Sequence, residues 1–330
     1  MNTLITLAPD ADAGSLARRL AADGLWTVAL RDADGRVQAL AVVPPSPPVD
    51  RARLADLPGV VAVLDAAAGH PRVDAAAGAT VAVGTTSIGP GAAPVLIAGP
   101  CSVESEATAF GAAERAAAAG ATVLRGGAFK PRTSPYAFQG AGAEGLAWLR
   151  AAADAHGLAL VTEVLSERDV GLVAEAADLL QIGSRNMQNF ALLKAAGGAG
   201  RPLLIKRGFS ATLEEWLMAA EHALAAGAPG VILCERGVRG FDDVTRNLLD
   251  LSTVALVAHI HRLPVIVDPS HATGRRDLVA PLAAAARAVG AHGVMVETHP
   301  DPTQARSDAP QALSRAELAA VAAVVLEGDR

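Results

Sequence analysis

Aromatic side chains make up 3% of this 330-residue chain, and it has two cysteines, Cys101 and Cys234, far apart in sequence. Two distant thiols exclude a disulfide framework and fit a reducing compartment, the cytoplasm. No stretch is apolar and unbroken enough to cross a membrane. Residues 79–103 lack a charged side chain, but Gly84, Gly89, Pro90, Gly91, Pro94, Gly99 and Pro100 interrupt them. The first ten residues carry no basic cluster and turn acidic at Asp10, so they do not read as a signal peptide. Positive charge is not in excess either: 28 Lys and Arg against 34 Asp and Glu give a formal net charge of −6, which argues against a nucleic-acid partner. What remains, 51% hydrophobic and 19% charged, describes a globular chain of one large and one small domain.

Residues 1–70 read as strand (3–7), helix (13–22), strand (26–31), strand (36–43), helix (49–56) and strand (60–64), the βαββαβ order of a ferredoxin-like domain. Asp34-Gly35 supplies a hairpin turn, and Pro44-Pro-Ser-Pro-Pro48 forces an extended crossing before the second helix. The Ala- and Gly-rich stretch that follows reads as a linker, with short strands near 80–88 closing the end of the next domain; linker and strands together occupy residues 71–92.

From residue 93 to 330 short apolar runs alternate with Ala- and Leu-rich helical stretches. The runs lie at 95–98, 122–124, 158–162, 179–182, 203–205, 231–233, 265–267 and 294–296. Strands apolar nearly throughout are buried on both faces, and this many β-α units in such a length predict an α/β fold, a (β/α)8 TIM barrel.

A barrel of this kind carries its chemistry at the C-terminal ends of its strands. Those ends read Gly99-Pro-Cys101, Arg125, Thr162-Glu163, Gly183-Ser-Arg185, Lys206-Arg207, Cys234-Glu-Arg236, Asp268-Pro-Ser-His271 and Glu297-Thr-His299. Arg125, Lys130, Arg132, Arg185, Lys206 and Arg236 therefore gather on one rim, and cations gathered together call for an anion. Arg132 and Thr133 lie on a glycine- and proline-stiffened loop suited to a phosphorylated substrate. Arg207 is left out because strand neighbours point to opposite faces, and Arg275 and Arg276 because a helix start can simply put charge in solvent. Cys101, His271, Glu297 and Asp308 offer a thiolate, an imidazole and two carboxylates, a set that can hold a divalent transition ion. Unlinked ligands have no spacing signature, and a lone cysteine also serves as a small buried hydrophobe, the role assigned to Cys234; on the residues alone both readings of Cys101 stand.

Gly99-Pro-Cys-Ser-Val-Glu104, the run Arg125-Gly-Gly-Ala-Phe-Lys-Pro-Arg-Thr-Ser-Pro-Tyr136, Gln181-Ile-Gly-Ser-Arg-Asn186, Cys234-Glu-Arg-Gly237, Asp268-Pro-Ser-His271 and Ser307-Asp308 together resemble 3-deoxy-D-arabino-heptulosonate 7-phosphate (DAHP) synthase of type I beta. The resemblance covers nearly the whole chain. It implies condensation of phosphoenolpyruvate with erythrose 4-phosphate, the first step of the shikimate pathway. It implies a metal (Mn, Fe, Co or Zn) on Cys101, His271, Glu297 and Asp308, and phosphoenolpyruvate on Arg125, Lys130, Arg185, Lys206 and Arg236. It further implies the erythrose 4-phosphate phosphate on Arg132 and Thr133, and Glu163 near phosphoenolpyruvate and a water. Lys130 is expected to donate or relay a proton.

The rival enzyme, 3-deoxy-manno-octulosonate 8-phosphate synthase, usually has Lys-Ala-Asn-Arg-Ser-Ser where this chain has Lys130-Pro-Arg-Thr-Ser-Pro135. A catalytically dead sugar-phosphate or aromatic-amino-acid sensor is the rival of another class, and the full ligand set counts against it. Two departures from the family appear: Arg239-Gly-Phe241 in place of Arg-Thr-Phe, and Glu297-Thr-His-Pro300 in place of Glu-Val-His-Pro. In the family a ferredoxin-like domain of this size goes with feedback inhibition by phenylalanine or tyrosine in a homotetramer; a packing or oligomerisation module is the plainer alternative. Trp26 is the only aromatic residue in 1–70, so the sequence shows no effector pocket.

Overall fold

A computed structural model describes residues 3–32, 34–43, 46–47, 49–65, 69–130, 134 and 136–327. The chain divides into two compact units, Met1–Asp74 and Ala75–Arg330.

In the first unit β1 (Thr3–Leu7), β2 (Thr27–Arg31), β3 (Val37–Val42) and β4 (Val60–Asp65) form an antiparallel sheet in the order β2-β3-β1-β4. Helices Ala13–Ala22 and Arg51–Ala55 fall between strands as the βαββαβ order requires. Alternation decides the buried face: Ile5, Leu7, Leu40 and Val42 join Leu16, Leu20 and Leu54 of the helices in one core. Asp12 and Asp50 start the helices by accepting the N–H groups of Ser15 and Arg53. The β2–β3 turn is held by Asp32, whose Oδ1 accepts from Asp34 N and Arg36 N, and Gly35 takes the left-handed φ of 81°. Pro44, Pro45 and Pro48 of the expected crossing lie outside the described residues. Residues 71–75, expected as linker, form a short helix opened by proline.

In the second unit the hairpin of β5 (Val81–Val83) and β6 (Thr86–Ile88) precedes a closed parallel barrel. Its strands run in sequence order: β7 (Val95–Gly99), β8 (Val123–Arg125), β9 (Ala159–Val164), β10 (Leu179–Ile182), β11 (Leu203–Lys206), β12 (Val231–Glu235), β13 (Val265–Val267) and β14 (Gly293–Glu297), with β14 pairing back to β7. Each of the eight predicted runs is one of these strands. Val81, Val83 and Ile88 of the hairpin share a buried cluster with Val95, Val123, Ala159 and Leu179 at strand starts, and with Ile97, Val161, Leu204, Ile232, Ile266 and Met295 further in. Packing at the N-terminal ends of the strands leaves the opposite ends free for polar groups.

The helices outside the barrel are started by local chemistry. Thr212 with Glu215, and Ser314 with Glu317, form capping boxes at Leu213–Ala225 and Arg315–Leu326. Trp216 is fully buried and its indole N–H donates to the carbonyl of Ile205, fixing a helix against β11. Among the described residues no helix is long and apolar enough to cross a membrane.

Candidate active site

The C-terminal strand ends converge on a cavity of about 530 Å³ lined by Arg125, Lys130, Glu163, Arg185, Lys206, Arg236, His271 and Asp308, among others. Arg132 and Thr133 lie outside the described residues.

At its floor the ligand atoms of Cys101, His271, Glu297 and Asp308 all lie within 4.8 Å of one another. The motif Asp268-Pro-Ser-His explains how two of them are held. Asp268 caps the short helix Pro269–Thr273: its Oδ1 accepts the His271 backbone N–H at 2.9 Å, and its Oδ2 faces His271 Nδ1 at 2.7 Å. The ring is thereby turned so that Nε2 faces Glu297 Oε1 at 3.1 Å and Asp308 Oδ2 at 3.9 Å. Ser270, between them, accepts the Glu297 backbone N–H at 3.1 Å. Glu297 is held from both sides, its Oε1 accepting from Arg125 Nη1 and its Oε2 from Gln311 Nε2. Cys101 donates its thiol hydrogen to Asp308 Oδ2 at 3.1 Å. The Ser102 and Ser307 hydroxyls meet at 2.6 Å and tie the two loops together, while Asp308 itself takes φ 51°.

Lys130 comes beside this group because the β7 and β8 loops are stitched by Gly127 N to Cys101 O and Val103 N to Gly127 O. A Cβ on Gly127 would lie 2.6 Å from Lys130 Cδ and 2.8 Å from Cys101 O, so only glycine permits the approach. The Lys130 ammonium donates to Cys101 O at 2.8 Å and Cys101 Sγ at 3.1 Å. Glu163 accepts from Gln181 Nε2 at 3.4 Å, and a Cβ on Gly183 would stand 2.0 Å from its Oε1.

The charges are mutually adjusted. Burial opposes the charge on His271, but the carboxylates of Asp268 and Glu297 outweigh it and raise the ring to about 10. Burial likewise works against ionised Asp268, yet His271 and Lys206, whose Nζ reaches Asp268 Oδ2 at 2.6 Å, hold it well below the carboxylate range. Glu297 follows the same pattern, burial being overcome by His271 and Arg125. For Lys130 burial is overcome by the field of Cys101, with Glu163 and Glu297 adding to it, and the ammonium form is favoured. Arg236 differs. Its Nη1 and Nη2 donate to the carbonyls of Gly237 and His271, and burial lowers it.

A cysteine sulfur, an imidazole and two carboxylates at this spacing fit a divalent transition ion. Around them sits a cationic wall suited to phosphate and carboxylate groups.

Residues 72–329 match the model of the DAHP synthetase I family. The chain belongs to that family. It is 55% identical over 218 residues to the phospho-2-dehydro-3-deoxyheptonate aldolase of Thermotoga maritima, a match covering 66% of this chain and 64% of that relative. It is 36% identical over 258 residues to the 2-dehydro-3-deoxyphosphooctonate aldolase of Methylobacterium radiotolerans, covering 71% of this chain and 89% of the relative. A crystal structure of the Thermotoga maritima DAHP synthase superposes with a TM-score of 0.73 at 41% identity over 96% of this chain and 95% of that one.

Several groups around the family's pocket carry no signal in the sequence. Gln311, Arg246 and Phe209 touch the pocket or its ligands, yet each stands alone in sequence until folding joins it to residues far away. Arg246 reaches Asp308 Oδ1 at 3.2 Å across 62 positions. Arg207 points away from the cavity, bonding Glu235 and Asp250 at 2.9 Å each beside the Trp216 ring. Arg275 pairs with Asp277 in solvent. Cys234 is buried, and burial raises its thiol. Gly240 has no left-handed φ, and a Cβ there would meet nothing closer than 3.7 Å, so the backbone does not require glycine at that departure from the family.

Because Asp268 is the partner that holds His271 Nδ1 among the described residues, Asp268→Asn should weaken divalent-metal binding roughly 10- to 100-fold. Equilibrium dialysis with Mn or Zn measures this; an unchanged dissociation constant would refute the role.

Proposed function

We propose that the chain condenses phosphoenolpyruvate with D-erythrose 4-phosphate and water to DAHP and phosphate, opening the shikimate route to aromatic amino acids, as a type I beta enzyme. The observation that carries this reading is the quartet of buried Cys101 and Glu297 with half-buried His271 and Asp308 at the floor of a cavity walled by Arg125, Lys130, Arg185, Lys206 and Arg236. The sequence Lys130-Pro-Arg-Thr-Ser-Pro135 favours erythrose 4-phosphate over the five-carbon aldose of the octulosonate enzyme, with Arg132 and Thr133 taking its phosphate.

Cys101, His271, Glu297 and Asp308 would hold a divalent ion, Mn, Fe, Co or Zn, which would supply Lewis-acid polarisation of an aldehyde oxygen. The remaining work falls to the protein. Arg125, Arg185, Lys206 and Arg236 bind the carboxylate and phosphate of phosphoenolpyruvate and hold its C3 toward the aldehyde carbon, a positioning and electrostatic contribution of several kcal/mol. As the new C–C bond forms, Lys130 gives a proton to the former aldehyde oxygen. Its ammonium lies beside the quartet, donating to Cys101 O at 2.8 Å. Water held by Glu163 adds at C2 and loses a proton, and the hemiketal phosphate collapses to the ketone as the C2–O bond to phosphate breaks.

We assign residues 93–330 as the catalytic domain, 71–92 as linker and closing strands, and 1–70 as a regulatory domain for phenylalanine or tyrosine in a cytoplasmic homotetramer. A depression on the small unit supports the last point: Asp10, Asp12 and Arg19 line it, offering both signs of charge to a zwitterionic amino acid, although no aromatic side chain does.

Metal-loaded protein should consume phosphoenolpyruvate with erythrose 4-phosphate, not with arabinose 5-phosphate or without aldose, and should stop on adding EDTA. Turnover with arabinose 5-phosphate alone would move the chain to the octulosonate reaction, and none with either sugar would favour a sensor. Lys130→Met should lower kcat at least about 100-fold while metal content changes far less; undiminished turnover would remove Lys130 from proton transfer. A chain beginning near residue 75 should keep turnover and lose inhibition by aromatic amino acids, and full inhibition of that shorter chain would end the regulatory assignment.

A further inference from the structure

Phe209 lies in the loop between β11 and the helix Leu213–Ala225, and it lines the cavity. Three guanidinium groups stand over its ring, with Cζ 4.8 Å from the centroid for Arg236 and 5.4 Å for both Arg185 and Arg239. These distances lie within cation–π range. Arg185 comes from the loop after β10, Arg236 and Arg239 from the loop after β12, so one phenyl ring gathers cations from two neighbouring loops.

Arg239 is fixed at its main chain. Its N–H donates to the Phe209 carbonyl at 2.6 Å, and Val238 and Leu248 exchange backbone bonds of 2.9 and 2.8 Å that close the base of the loop. Its side chain is free to serve a ligand: among the described residues no carboxylate lies within ion-pair distance of Arg185 or Arg239, and Arg236 donates to carbonyl oxygens. Other cations of the site have their anions in place, as Arg125 has Glu297 and Lys206 has Asp268. Three forks sharing one ring without a counter-charge repel one another, and a phosphate monoester dianion with three acceptor oxygens is the chemistry that relieves this.

We propose that Arg239 is a third guanidinium of the phosphate subsite, completing with Arg185 and Arg236 a cradle for the phosphoryl group of phosphoenolpyruvate, and that Phe209 is the positioning residue that holds the three together. This rests on the reading of the cavity given under Proposed function. Erythrose 4-phosphate carries the same kind of phosphate, so both substrates enter the test.

Binding of phosphoenolpyruvate to the full metal-loaded chain is measured by calorimetry, and KM for each substrate by steady-state kinetics. Arg239→Gln should weaken phosphoenolpyruvate binding roughly tenfold or more and raise its KM well above any rise for erythrose 4-phosphate. Arg239→Lys should recover part of the loss, a point charge replacing a fork. Phe209→Leu should cost about threefold, and Arg239→Gln made in that background should cost less than in the parent, because the two share one interaction. Arg275→Gln, outside the cavity, should bind like the parent.

Parental binding by Arg239→Gln, or a loss confined to erythrose 4-phosphate, overturns the phosphate assignment, and strictly additive effects overturn the platform. If the parent chain itself binds no phosphoenolpyruvate, the functional reading fails instead, so the two failures are told apart.

Discussion

A single buried carboxylate, Asp268, fixes the geometry on which the rest of the site is built. With Oδ2 it takes Lys206 Nζ at 2.6 Å and His271 Nδ1 at 2.7 Å, and with Oδ1 it starts the helix that carries His271. A carboxylate with no exposure costs several kcal/mol to desolvate unless neighbours repay it. Here a lysine, an imidazole and a backbone N–H do so, and each is thereby held rigid. The arrangement joins the two halves of the site: one lysine of the cationic wall and one donor of the ligand quartet turn on the same oxygen.

The same logic extends outward in pairs. Arg125 and Gln311 clamp Glu297, Arg246 reaches Asp308, and Arg207 bridges Glu235 and Asp250 on the side away from the cavity. The last pairing matters for Arg236, its neighbour across Glu235: Glu235 Oε1 also accepts the Gly237 N–H at 2.7 Å, which fixes the turn from which Arg236 enters the cavity. A charge network outside the site therefore sets the direction of a cation within it.

How much of this was legible in the sequence depends on whether the signal is local. Strands buried on both faces leave continuous apolar runs, so 95–98 through 294–296 could each be located, and the C-terminal strand-end rule then put Cys101, Arg125, His271 and Glu297 at one mouth. Alternation along a strand correctly removed Arg207. What could not be read is pairing across the barrel. Gln311 meets Glu297 through a loop whose path only the fold defines, and Phe209 gathers arginines up to 30 positions away. The helix Pro71–Ala75 was obscured because an Ala- and Gly-rich composition is shared by linkers and short helices. The motif Asp268-Pro-Ser-His271 lies between these cases: its capping pattern is local, whereas the reach of Asp268 to Lys206 spans 62 positions.

The distribution of compensated and uncompensated cations carries a physical consequence for how substrate is held. Arg125 and Lys206 keep their carboxylates, so a ligand meeting them gains orientation while much of their charge is already neutralised. Arg236, buried and bonded to carbonyls, together with exposed Arg185 and Arg239 on the Phe209 ring, has charge to spare. The positive charge left without a carboxylate therefore lies at the arginine cluster, while the cations nearer the quartet are already paired. Such a division suits a reaction in which a phosphate must be gripped at one end of a small molecule while a carbon at the other end is aimed. Beneath the charged groups lies the apolar barrel, where Ile97, Leu204, Ile232 and Ile266 are wholly buried.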